Sequence, residues 1–401
     1  MLKRTFKAFE YPEFRLMWAG ACISSIGTWM QQSAQSWLVL EISGSARLLG
    51  LDAFLGQIPI FLFSLVGGVI ADRYDRRILL IGSQIVQLAC AFVLAALFAT
   101  NVVQIWHILT LSFVVGLAQA FGGPAYSALV PTLVPKEHLS NAIALNSIQF
   151  NVARVIGPVL GGLALTKLGA AWCFSLNGLS YLVVIGALLY LRPSFTPSNK
   201  GGTIVEGIQQ GIGFIRKQAA MESLIALAFC MTALSIPLVV FLPVVTREVL
   251  MRGSETFTNL LSVSGLGSIT GALFVASTAQ SKHKGRLALI TMTFLGLIIV
   301  GFSFSRNIWL TAVLVFVAGA ALIMVFALIT SLVQLITPDD LRGRVMSVYN
   351  VAFRGGMPMG SLATGQLIPL FTAPPVLAAN GALLAALGLW YLLVHRKVAQ
   401  L

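Results

Sequence analysis

Twelve apolar stretches, each close to the length needed to cross a bilayer, leave this chain few folds to choose from. They cover roughly residues 14–40, 47–71, 78–99, 104–131, 141–166, 172–191, 220–246, 257–279, 286–304, 308–336, 344–370 and 376–394. About 20 apolar residues in a helix span the hydrocarbon layer. The strands of a membrane barrel would read as alternating segments of about 10 residues, and these runs do not alternate. Only 10% of the 401 residues are charged and 57% are hydrophobic. A soluble surface uses about 25% charged residues, so lipid must be the main solvent here.

The second constraint is a repeat. Ser147, Asn151, Arg154 and Pro158 lie at helical spacing inside the fifth run, and Ser347, Asn350, Arg354 and Pro358 do the same inside the eleventh. Upstream, PKEHL at 135–139 is answered by PDDL at 338–341. Self-similarity at half the chain length points to two related halves, a common way of building transporters. The expected fold is therefore an all-α membrane protein, with twelve transmembrane helices in two pseudo-symmetric six-helix bundles. The expected divisions are 1–192, a cytoplasmic linker with an amphipathic helix at 193–219, and 220–401.

Charge sets the orientation. The net charge of +13 would suggest nucleic acid on a soluble chain, but here the positions of the charges argue against it. Of the 26 Lys and Arg, only Arg47, Lys167, Arg247, Arg252 and Arg306 fall in one set of alternate connections. Arg154 and Arg354 lie inside runs, and the others sit in the opposite connections. The positive-inside rule then places both termini in the cytoplasm, with the basic loops against anionic lipid head groups and no nucleic-acid partner. Cys22, Cys90, Cys173 and Cys230 form no C-x-x-C pair, so neither a disulfide framework nor a metal site is expected. Met1–Glu10 is basic and amphipathic, and the first apolar run is too long for a leader's apolar core.

Polar residues inside the runs are the candidate functional groups. In the first run Ser24, Thr28, Gln31 and Gln35 form one stripe, which either lines a cavity or hydrogen-bonds neighbouring helices. Arg154 lies 13 residues beyond Asn141, about 20 Å along a helix and near mid-membrane. A charge there costs at least ~2.5–3.5 kcal/mol on insertion scales. It either serves function or bonds carbonyls freed by Pro158. The candidate cavity residues are Thr28, Gln31, Gln35, Asn151, Arg154, Asn350 and Arg354. Nearly all the 13 acids stand in loops or at run ends, and Asp52 is the proton-coupling candidate. His107 reads as interfacial. Two arginines without a deep acid to offset them favour an anionic or neutral amphipathic substrate. No His/Cys/acid cluster, Ser–His pair or phosphate loop lies inside the runs, so an enzyme is not expected.

Between the second and third runs, Gly68-x-x-Ala71-Asp72-Arg73-x-x-Arg76-Arg77 resembles the signature loop of the major facilitator superfamily, with Asp75 where glycine is usual. Gly68 is expected to admit a close helix neighbour, and Arg76 or Arg77 to pair with Asp72. Gly157-Pro158-x-x-Gly161-Gly162 resembles the core of the antiporter motif of superfamily exporters, with Ala153 in place of an upstream glycine. The arginine of many proton-coupled relatives is replaced by Gly116. AQSKHKGR at 279–286 takes the place of a second signature loop, without its aspartate. With FEYPEFRLMWAG leading into the first run, these features look most like the branch that includes enterobactin exporters and macrolide efflux proteins. The resemblance implies alternating access, a cytoplasmic latch built from Gly68, Asp72, Arg73, Arg76 and Arg77, and export of a drug-like or siderophore-like molecule by proton antiport. It implies no cofactor and a monomer in a bacterial inner membrane. An uptake symporter and a lipid flippase of the same fold are the alternatives.

Overall fold

The computed structural model describes residues 6–191, 204–277, 283–338 and 341–401, apart from the side chains of Asp72 and of residues 204–208. Residues 193–203 of the expected linker, the acid pair Asp339–Asp340 and residues 279–282 lie outside the described residues. Within them every regular element is helical.

The helices are α1 (Pro12–Ser43), α2 (Ala46–Arg73), α3 (Arg76–Ala99), α4 (Ile105–Leu129), α5 (Leu139–Lys167) and α6 (Ala170–Tyr190), followed by the short α7 (Ile204–Lys217). Next come α8 (Ala219–Val240), α9 (Ser254–Ser277), α10 (Lys284–Phe304), α11 (Ile308–Ile336), α12 (Arg342–Phe371) and α13 (Ala373–Leu393). Among the described residues, ten helices are long and apolar enough to cross a membrane. α1 and α12 are longer than most, at 32 and 30 residues, and fall outside that set on composition. They carry the glutamines of the first run and Arg342, Arg344 and Arg354 of the eleventh.

Local chemistry sets the breaks. The Asp75 carboxylate accepts from the Arg77 amide at 2.9 Å and caps α3. The Asn307 side chain accepts from Trp309 and Leu310 amides and caps α11. Gly169, at φ +90°, turns the chain between α5 and α6. α8, which contains Pro237, stops at Val240, and the chain continues through Pro243 as a turn at Leu242–Val244 and a π-helical turn at Val245–Val249. Proline supplies no amide for the ladder, so the helix cannot run straight through.

The chain clusters into two compact units, Met1–Ile42 with Ile58–Gly201, and Ser43–Gln57 with Gly202–Leu401. The first part of α2 thus groups with the later helices, which nothing in its sequence announces. Gly50 lies where a Cβ would stand 2.7 Å from the Ser361 carbonyl oxygen and 3.0 Å from Gly365 Cα.

Each unit is held by small-residue contacts, as lipid leaves little hydrophobic drive between helices. In the first unit, Gly157 and Gly161 of α5 lie against Ile26–Ser33 of α1, Gly67 of α2 meets Ala120 of α4, and Gly178 of α6 meets Phe92 of α3. The second unit makes the same three pairings. Gly356 and Gly360 of α12 lie on α8, Gly267 and Gly271 of α9 on α11, and Gly296 and Gly381 join α10 to α13. Hydrogen bonds reinforce these seams. Thr232 Oγ1 donates to the Phe353 carbonyl at 2.9 Å, and Ser268 Oγ to that of Gly319 at 3.2 Å. The 200-residue repeat read in the sequence therefore recurs in the packing.

Both terminal segments dock on the protein. The Ala8 amide donates to Asn141 Oδ1 at 2.8 Å, and Val398 is fully buried. α7 lies within the segment where an amphipathic helix was expected; its Gly211 packs on the backbone of Arg344 and on Val348 of α12, and Ile215 is buried. The start of α12 thus takes up an apolar face that lipid would otherwise cover.

Candidate functional site

The polar stripe of α1 resolves mostly into helix-to-helix bonds. Gln31 Oε1 accepts from Asn177 Nδ2 at 2.6 Å, and Gln35 Nε2 donates to Ser112 Oγ at 2.9 Å. Both glutamines tie α1 to its neighbours α6 and α4, and neither lines the cavity of the first unit. Thr28 does line it, with its hydroxyl 3.1 Å from that of Tyr181.

That cavity has a volume of about 300 Å³ and is bounded by α1, α3, α4, α5 and α6, all within the first unit. Its polar groups form a chain. Gln87, nearly fully buried, donates to Ser83 Oγ at 3.2 Å, and its Oε1 accepts from Gln119 at 3.2 Å and from Tyr181 at 3.3 Å. On the α5 side, Gln149 donates to Ser25 Oγ at 2.6 Å, and the Tyr126 hydroxyl donates to Asn146 Oδ1 at 3.2 Å. Met17, Leu80, Phe150 and Val184 supply apolar wall. An apolar cavity with a few placed polar groups is the usual make-up of a small-molecule site, and 300 Å³ is at the lower end of the range.

Sequence reasoning named Ser24 and Thr28 but missed Gln84, Gln87, Gln119, Asn146, Gln149 and Tyr181. The signal was present. Ser83, Gln84 and Gln87 are polar residues in an apolar run, as informative as the stripe of α1.

The two mid-helix arginines stand differently. Arg154 is half-buried, with its guanidinium carbon 5.9 Å from the Trp29 ring centroid. Trp29 in turn meets Phe150 edge-on at 5.8 Å, and both rings line the cavity. A stacked guanidinium is worth about 0.5–2 kcal/mol. Among the described residues the guanidinium has no hydrogen-bond acceptor, so it does not cap carbonyls freed by Pro158. Asn151 bonds back to the Ser147 carbonyl of its own helix at 2.8 Å. Arg354 and Asn350 are both exposed. An exposed guanidinium in the middle of a membrane helix must meet water or a ligand rather than hydrocarbon.

In the signature loop the close helix contact falls one residue earlier than the motif suggested. A Cβ at Gly68 would meet nothing within 4 Å, and the close contact belongs to Gly67. Arg76 donates to the Ala128 carbonyl at 2.9 Å and to that of Ala71 at 3.3 Å, and Arg77 donates to the Leu189 carbonyl at 2.7 Å. Both arginines thus sit on the carbonyl ends of helices α4, α2 and α6, where the dipole favours cations. Arg73 is exposed and the Asp72 side chain lies outside the described residues. Asp75, the departure from the motif, acts as the α3 cap. Asp75→Ala should lower stability by about 1 kcal/mol, read as a drop in melting temperature of the purified protein. An unchanged melting temperature would refute the cap's contribution.

In the antiporter-like motif, Gly157, Pro158, Gly161 and Gly162 are all buried, and the first and third form the α5–α1 contact. Asp52 is buried and held by a partner. His107 Nδ1 accepts from the Gln104 amide in a helix-start box, as an interfacial residue would. Among the described residues, no three His, Cys, Asp or Glu gather as metal ligands.

Comparison with known proteins places this geometry. The family model described as transmembrane secretion effector matches residues 3–400. Macrolide efflux protein A of Streptococcus pyogenes is 23% identical over 87% of each chain. The enterobactin exporter EntS of Shigella boydii is 25% identical over 96% of this chain and 92% of its own. A bacterial homologue of the human lysosomal transporter Spinster, solved in an inward-facing and unoccupied conformation, superposes with a TM-score of 0.76 at 14% identity, covering 96% and 97% of the two chains.

Proposed function

This chain belongs to the transmembrane secretion effector family of the major facilitator superfamily, and from that membership we propose that it is a secondary active exporter of a small amphipathic molecule, anionic or neutral. It is an integral membrane transporter, not an enzyme. In this reading twelve helices span a bacterial inner membrane in two six-helix halves, with both termini cytoplasmic. The monomer works by alternating access and is driven by proton antiport. The efflux proteins among its relatives support the outward direction.

The observation that carries the substrate class is the pair Arg154 and Arg354. Neither has an acid or a hydrogen-bond acceptor among the described residues, and both lie mid-helix. Uncompensated positive charge at membrane depth attracts anions and repels cations. The test is transport into inverted vesicles from a host lacking its own pumps, under an imposed pH gradient, of a catecholate siderophore, a macrolide and a quaternary ammonium dye. Uptake of either of the first two, with the dye excluded, is expected. Preference for the dye would refute the substrate class, and uptake by right-side-out vesicles would refute the direction.

Coupling is assigned to Asp52. Asp52→Asn should abolish accumulation driven by the pH gradient while leaving substrate binding intact. A mutant that still concentrates substrate would remove Asp52 from this role.

A further inference from the structure

The first unit's cavity differs from the arginine pair in one chemical respect: no side chain lining it carries a formal charge at neutral pH. Its polar groups are amides and hydroxyls, each able to donate or accept. An ion entering would lose its hydration without meeting a counter-charge, whereas a neutral amide or hydroxyl would exchange water's hydrogen bonds for those of the wall.

One wall residue is left incomplete. Gln84 lines the cavity, and its Oε1 is buried with no hydrogen-bond partner among the described residues. Buried carbonyl oxygens are rarely left unpaired, and an exception in a native structure calls for a reason. Rotation of this one side chain toward the cavity would bring that acceptor to a ligand's N–H or O–H. Trp29, Phe150 and Tyr126 add aromatic surface for a flat group. Arg154 stacks on Trp29 but does not line the space, so the charged group and the uncharged pocket are separate features.

We propose that this cavity is a binding subsite for an uncharged, hydrogen-bonding group of the transported molecule, an amide- or hydroxyl-bearing ring, with Gln84 as the acceptor that the ligand completes. The proposal rests on the exporter reading above.

Benzamide, benzoate and benzamidinium share one shape and carry charges of zero, minus one and plus one, so they isolate charge from size. Binding of each to the full chain in nanodiscs, by calorimetry, is the test. Benzamide should bind about tenfold or more tightly than either ion, the equivalent of one hydrogen bond kept. Gln84→Met should elute and melt as the wild type does, because it removes an unpaired group, and should weaken benzamide about tenfold. Gln119→Leu is a second variant on the neighbouring helix α4, expected to weaken benzamide in the same direction.

Binding of either ion as tightly as benzamide, no benzamide binding at millimolar concentration, or unchanged binding by folded Gln84→Met would each overturn the subsite. Benzamide binding without export in the vesicle assay would overturn the exporter reading and leave the subsite standing. Export without benzamide preference would do the reverse.

Discussion

Gly161→Leu should leave almost no monodisperse protein after detergent extraction, whereas Gly68→Leu should elute and melt as the wild type does. A Cβ at Gly161 would stand 2.6 Å from Ser33 Oγ, 2.8 Å from the Met30 carbonyl oxygen and 3.3 Å from Met30 Cα. Two of these three atoms are backbone, which cannot rotate away. α5 must then move off α1 along the whole seam, because Gly157 lies equally close to Ile26 and Met30 one turn earlier. Overpacking a tight site costs about 1–3 kcal/mol even for modest additions, and leucine adds three carbons beyond the Cβ. With little hydrophobic drive to re-form the contact in lipid, the lost van der Waals surface is not recovered elsewhere. The counterpart on α12, Gly360→Leu, should fail likewise, since Gly360 meets the backbone of Ala233. Size-exclusion profiles and melting temperatures of the four proteins decide the matter. If Gly161→Leu is well folded, or Gly68→Leu collapses, the packing described here is wrong.

The contrast between Gly68 and Gly161 also shows where the sequence could be read and where it could not. Apolar run length located the helices because it reflects bilayer thickness, a property each segment carries alone. The repeat was legible for a related reason. Arg154 and Arg354 recur in the fifth and eleventh runs, 200 residues apart, and the pairing of α5 with α1 returns as that of α12 with α8. Which of two adjacent glycines touches a neighbour is a different kind of fact. Gly67 and Gly68 are separated by 100° around the helix axis, and only the position of α4 decides between them. Asp75 was read as a blemish in a motif because its partner, the Arg77 amide, is local geometry that a pattern of letters does not carry. Gln31 and Gln35 looked like cavity groups because a buried amide declares a need for partners but not their identity. Asn177 and Ser112 meet that need from helices 146 and 77 residues away. Gln87 and Tyr181 have polar neighbours in their own runs, Ser83 and Gln84 for one and Asn177 and Ser180 for the other, but the bonds that join them across helices exist only once the helices are side by side.

Arg354→Leu should abolish export by more than about tenfold and yet leave a protein at least as stable as the wild type. Those two outcomes seldom go together, because most losses of function follow losses of fold. Here they are joined by the surroundings of the guanidinium. It is exposed, lies 12 residues into α12, about 18 Å along its axis, and has no acceptor among the described residues. A guanidinium that meets water has no protein partner to orphan, and leucine in its place opens no cavity. A structural arginine would behave in the opposite way, since deleting it orphans its partners and lowers the melting temperature along with transport. Arg154→Leu should lose export too but keep less of its stability, because it also gives up the stacking on Trp29. Arg154→Lys should recover charge but not the flat contact, and so fall between. The access of water to position 354 can be probed without a substrate. In a background lacking the four native cysteines, Arg354→Cys should react with a charged, water-soluble thiol reagent. Leu297→Cys, at an exposed apolar position of α10, should react far more slowly because lipid does not ionise thiols. If the cysteine at 354 is as inert as that at 297, the guanidinium faces hydrocarbon, and the case for an anion-attracting path fails even if the helices stand as described.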